Sequence, residues 1–369
     1  MLRGTLGLAF LVMTLLVILI VAASVWDPVA LPLSVIAAVA AAVFYSWLVL
    51  RLDRYEREPR RVLIAAFAWG AIGAVFFSLI IELVSGGILI AAVGKDAGTI
   101  LTLGVGAPII EETCKALALI GLLIWARDEF DNVLDGLVYG ALIGLGFAMT
   151  ENILYFGSAY IDEGLTAFGA LFAVRAVIDG FGHALYTGTT GAAMGWARER
   201  HRRGKLRFIV PVIGLCLAIF QHFLWNTGLI VIASMQGEDV SAFKVALIEA
   251  PLFLLPALVI LFLIARVSSR RELEIMKTYL STEVVNGVIT PEEYATVIDN
   301  NRRALALRAA ERRGRNLRAL QQRFFQVAAE LAFRKYHLSR GERPKPGQRA
   351  PEDAYRDELI LLRSKLTGV

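Results

Sequence analysis

Eight stretches of this chain are long and apolar enough to cross a bilayer: residues 5–26, 29–50, 62–84, 99–125, 133–156, 177–197, 208–235 and 245–265. A spanning helix needs about 20 apolar residues. The pattern predicts an all-α, polytopic helical membrane protein with about eight transmembrane helices and a cytosolic helical C-terminal tail. Composition agrees, with 57% hydrophobic and 19% charged residues and a mean hydropathy of +0.60. Soluble domains average about 45–50% apolar and about 25% charged. The first stretch follows Arg3 and is longer than the roughly 7–15 residues of a signal core, so it reads as a retained helix. Residues 165–176, "LTAFGALFAVRA", read as an interfacial or re-entrant helix before the sixth span. Cys114 and Cys216 lie far apart in apolar runs and read as buried, reduced thiols.

The loops orient the spans. "RLDRYEREPRR" after the second stretch and "RERHRRGKLR" after the sixth are dense in arginine, and Arg127 follows the fourth. The alternate loops carry only Lys95 and Lys244 as basic residues. Positive charge marks the cytoplasmic side. Eight spans put every basic loop inside and both termini in the cytoplasm.

A membrane region over 1–267 is expected to give way to an arginine-rich tail over 268–369. In "TPEEY", Thr290 is placed to cap a helix, with Pro291 at its first position and Glu293 closing a capping box. "RGERPKPGQRAPED" reads as a flexible linker before a last short helix, "DELILLRSKL". Arginines at positions 302–323 suit a solvated face near an anionic inner leaflet, with partner docking as the alternative. Nothing resembles a nucleic-acid motif, no such partner is expected, and no internal repeat is present.

Ionisable groups inside spans cost about 2.5–3.5 kcal/mol each on insertion scales, yet this chain carries several. "GAPIIEETCKALALIG" holds Glu111, Glu112 and Lys115, and helical spacing lets Lys115 reach both acids. "GFAMTENILY" holds Glu151 and Asn152, "VIDGFGHALYTG" holds Asp179, His183 and Thr187, and "FQHFLWNTG" holds His222 and Asn226. Given the directions of the spans, these residues share the outer half of the bilayer and point to a polar cavity. Taken singly, each has an ordinary reading: a self-neutralised packing cluster for Glu111, Glu112 and Lys115, a helix-end group for Glu151 and Asn152, a core histidine for His183 or His222, and interhelical glue for Asn226.

"EETCK", "FAMTEN", the His183 segment, "HFLWN" and the juxtamembrane "DRYEREP" together resemble the PrsW family of intramembrane proteases, over about residues 40–265. That family is similar to the CAAX-prenyl endopeptidase and bacteriocin-immunity superfamily, whose motifs are EExxxR, FxxxH and HxxxN. Here Lys115 stands one residue earlier than that arginine, and Glu151 stands where the second motif has histidine. The resemblance implies an enzyme of the bacterial cytoplasmic membrane that cuts a membrane-embedded protein, an anti-sigma factor in some members.

Such hydrolysis needs a water, a base and donors for the oxyanion. The favoured assignment makes Glu111 the base and Glu112 its support, roles the two could exchange, with Lys115, Asn152 and Asp179 also supporting. Glu151 or His183 would orient the water, and His222 and Asn226 would donate to the oxyanion, with no cofactor. The rival makes His183, His222 and Glu151 ligands of a catalytic zinc. From other classes, a proton-coupled transporter or channel uses similar residues, although no two-fold repeat supports it. A non-catalytic membrane scaffold is the third reading.

Overall fold

The computed structural model describes residues 2–53, 55, 58–127, 129–199, 204–236, 242–341 and 352–367. Every regular element among them is helical. The chain divides into two compact units, one of Met1–Leu52 with Pro59–Ala265 and one of Asp53–Glu58 with Arg266–Val369.

The first unit begins with α1 (Leu2–Ser24), α2 (Ala30–Val49) and α3 (Arg60–Ala68), and α3 runs through a π-helical turn at Trp69–Ala74 into α4 (Val75–Val93). Next, α5 (Lys95–Leu101) leads through a second π-turn at Thr102–Gly106 into α6 (Ala107–Trp125). The long α7 (Val133–Phe172) is followed by a π-turn at Ala173–Ile178, then α8 (Gly182–Glu199), α9 (Leu206–Gln236) and α10 (Ala242–Glu249). A last π-turn at Ala250–Leu254 opens α11 (Leu255–Val285). The face of α1 that carries Leu8, Leu15 and Leu19 is exposed, as expected of a helix bathed in lipid.

Six stretches are long and apolar enough to cross a membrane: Thr5–Ser24, Ala30–Val49, Arg60–Val93, Val133–Glu199, Leu206–Gly228 and Phe243–Val285. The difference from eight lies in two places. Val133–Glu199 holds both α7 and α8, and Lys95–Trp125 carries Glu111, Glu112 and Lys115. The segment read as interfacial or re-entrant, 165–176, is the end of α7 beyond a kink at Gly164 (φ 74°), continuing into the π-turn. Cys114 is buried, whereas Cys216 lies on an exposed face of α9.

Helices α7 and α8 run antiparallel with their backbones touching. A Cβ on Gly140 would lie 2.4 Å from Thr187 O, and one on Gly144 would lie 2.0 Å from His183 O. A step of four along α7 is matched by a step of four back along α8. Only glycine permits that approach. The start of α7 is fixed by a capping box in which Asn132 Oδ1 accepts from Leu134 N at 2.7 Å and Asp135 Oδ2 accepts from Asn132 N at 3.0 Å.

The second unit contains the C-terminal part of α11 with α12 (Pro291–Val297), α13 (Asn300–Arg313), α14 (Arg315–Ser339) and α15 (Glu352–Thr367). Its core gathers Met276, Leu280, Phe324, Phe325, Phe333 and Leu359. The Thr290 capping box forms: Glu293 N donates to Thr290 Oγ1 at 3.1 Å and Thr290 N to Glu293 Oε2 at 2.7 Å. Most of the expected linker, 342–351, lies outside the described residues, as do Arg54, Glu56 and Arg57 of "DRYEREP", 200–203 of the second arginine-rich loop and 237–241 of the loop before Lys244.

Candidate active site

Pro108, just after the π-turn that leads into α6, has no N–H to give to the preceding turn. One turn later Glu111, Glu112 and Lys115 are 4%, 1% and 0% exposed. Lys115 Nζ donates to Glu111 Oε2 at 3.0 Å and to Glu112 Oε1 at 2.8 Å, and it sits 3.7 Å from the centre of the Phe147 ring. The indole of Trp69 donates to Cys114 O at 3.1 Å and ties α6 to the π-turn after α3.

The glycine seam of α7 sets the height of α8, and α8 brings His183 and Thr187 to the same cluster. Lys115 Nζ and His183 Nδ1 are 2.9 Å apart. Thr187 Oγ1 donates to Glu112 Oε2 at 2.9 Å. From α9, His222 places Nδ1 3.3 Å from Glu112 Oε1 and Nε2 4.0 Å from Glu111 Oε2. The first of these is a close approach without the alignment of a hydrogen bond. Tyr186 stacks on His222 with ring centres 4.9 Å apart, and the two histidine rings stand edge-on at 5.1 Å. Glu111, Glu112, His183 and His222 each offer a ligand atom, and the four atoms lie within 4.8 Å of one another.

Glu151 stands beside this group. Its Oε2 lies 3.0 Å from His183 Nε2 and also accepts from Arg175 Nη2. Arg175 Nε donates to Asn152 Oδ1 at 2.7 Å. Asp179 is buried, and its Oδ1 has no partner among the described residues. Asn226 Nδ2 donates to Leu103 O at 3.1 Å. Arg175 was not among the residues singled out from the sequence; one arginine in the apolar run 165–176 was the available signal. Glu82 on α4 and Glu249 on α10 were also passed over. Each has a buried oxygen without a hydrogen-bond partner among the described residues, and Glu249 packs against the bare backbone of Gly228.

Two imidazoles and two carboxylates, supplied by three helices and shielded from solvent, can bind a divalent ion or activate a water. The family model of the "PrsW family intramembrane metalloprotease" matches residues 58–264, which hold every residue of the cluster. The chain belongs to the PrsW family. Protease PrsW of Geobacillus kaustophilus is 33% identical over 146 residues, covering 40% of this chain and 58% of the relative. That of Bacillus subtilis is 27% identical over 157 residues, 42% and 65% of the two chains, and that of Clostridioides difficile is 38% identical over 104 residues, 28% and 42%. Each match spans less than two thirds of the relative's length. No solved structure matches the chain. Family membership agrees with the expected resemblance and with an integral membrane protein, and it disfavours the transporter reading.

Proposed function

We propose that the protein is an intramembrane endopeptidase that hydrolyses a peptide bond of a membrane-embedded protein substrate, with an anti-sigma factor as the candidate that the family resemblance implies. The observation that carries this reading is the convergence of Glu111, Glu112, His183 and His222 within 4.8 Å, nearly sealed from solvent. The donor set fits zinc, which takes three protein ligands and keeps one position open in catalytic sites. Glu112 suits a ligand, because Lys115, Thr187 and the nearby His222 ring hold both its oxygens in place. His183 and His222 complete the set. A bound divalent ion would polarise the scissile carbonyl and make a bound water more acidic.

The rest falls to the chain's own groups. Glu111 keeps one hydrogen bond among the described residues, from Lys115, so it is the freer carboxylate and the better general base. It takes a proton from the attacking water and passes it to the leaving amine. Glu151 fixes the ring of His183 through Nε2, as a carboxylate behind a histidine ligand does. In this reading Glu151 stands behind the ligand set, not within it.

A metal-free reading has one specific observation in its favour. Lys115 Nζ lies 2.8–3.0 Å from Glu112, Glu111 and His183, where it balances the carboxylates without an ion. Purified protein in bilayers, given single-span peptides, tests both readings. Cleavage lost in Glu111→Gln and in chelated protein, and restored by zinc, supports the metal-assisted enzyme. Cleavage indifferent to chelation selects the metal-free one, and no cleavage of any peptide together with ion flux removes the protease.

A further inference from the structure

Peptide hydrolysis consumes one water per bond. Its oxygen joins the new carboxyl group, and its protons end on the products. Glu111, Glu112, Lys115, His183 and His222 are all at least nine-tenths buried, and lipid carries little water. A resting place for water beside the cluster is therefore a chemical requirement of the proposed reaction, on which this inference rests.

One cavity of about 10 Å³ reaches the cluster, and its wall includes His183. That is the scale of a single water, which also needs two to four polar partners. Its lining also includes the small-residue face of α2, Ala38 and Ala42. Such a face would be mere packing but for the groups around it. Asn152, Arg175 and Asp179 line the same cavity. Asp179 is 6% exposed, and its Oδ1 lacks a partner. A buried acceptor left unmade costs about 1–3 kcal/mol, and a water in this cavity would satisfy it. Asp179 Oδ1 lies against the bare backbone of Gly182, where a Cβ would be 1.9 Å away.

We infer that Asp179, with Asn152 and Arg175, holds a water behind His183 and so maintains the supply from which the hydrolytic water is drawn. Met149 also lines the cavity, which gives a test that needs no catalysis. Under radiolysis in bilayers, an ordered water generates hydroxyl radical in place, and Met149 should be oxidised several-fold faster than Met194, which is packed in an apolar cluster. A bulk radical scavenger should not protect it. Asp179→Leu, and separately Ala42→Leu to fill the space, should bring Met149 down to the rate of Met194. Turnover should fall by about tenfold, the worth of roughly one hydrogen bond, with KM unchanged. Asp179→Asn keeps an acceptor and should retain the labelling. Met149 reacting no faster than Met194 in the unaltered protein overturns the inference, as does labelling that survives both leucine variants. Labelling lost in those variants supports the site even where no peptide is cut, an outcome that removes the proteolytic reading alone.

Discussion

His183 Nε2 lies 3.0 Å from Glu151 Oε2. The other ring nitrogen, Nδ1, faces Lys115 Nζ at 2.9 Å. The imidazole is therefore held at both ends, by a carboxylate on one side and by the Lys115 ammonium on the other.

Arg175 anchors the far end of that chain through Glu151 and Asn152. Arg175→Gln should lower metal affinity and turnover by about 10–100-fold, the usual loss when support behind a ligand is removed. Arg175→Lys should recover only part, because a single ammonium cannot bridge two residues as a guanidinium fork does. Zinc affinity of the reconstituted protein, measured beside turnover, checks this. Unchanged affinity in Arg175→Gln would detach Glu151 from the metal site.

Gly144→Ala puts a methyl 2.0 Å from His183 O. The α7–α8 seam must open, which should cost about 1–3 kcal/mol as other overpacked sites do, and it should displace His183. Gly169→Ala, with nothing within 4 Å of the new carbon, should leave thermal unfolding in detergent unchanged. Equal unfolding temperatures for the two variants would refute the seam.

In the second unit, the Glu283 side chain is 0% exposed and accepts from Arg356 Nε and Nη2, both at 3.0 Å, and from Lys335. Glu283→Leu leaves two cations without their shared anion. Breaking a buried pair costs about 3–5 kcal/mol, and the partial exposure of both cations should bring the loss below that range. Limited proteolysis of the full chain should then cut in 270–340 faster than in the unaltered protein.

If every arginine-rich loop faces the cytoplasm, reporters fused at Gly94 and Gly204 should fall on opposite sides, outside and inside respectively. Both on one side would discard the eight-span arrangement.

Much of the site was legible because its spacing is helical. Glu111, Glu112 and Lys115 share one helix, so their mutual bonds follow from a turn of 3.6 residues. His183 with Thr187, and His222 with Asn226, likewise follow from a four-residue step. What the spacing does not carry is the neighbour each face meets. Asn226 is expected as an oxyanion donor, and its spacing from His222 does not reveal that its amide meets Leu103 O in the π-turn before α6. Arg175 was hidden because its role depends on the kink at Gly164, which folds the end of α7 back so that the guanidinium reaches Glu151. Glu82 and Glu249 sat in apolar stretches, with no second ionisable residue at helical spacing to draw notice.

The bonds among Glu111, Glu112 and Lys115 are made within α6, at spacings of four and three residues. They can therefore form before α8 and α9 arrive. A newly made α6 can enter the membrane as a segment whose three charges leave a net of one, its lysine already folded over its acids. The histidines can then dock onto that segment. The order in which the helices are inserted is thus compatible with a site whose charged members could not be taken up one at a time.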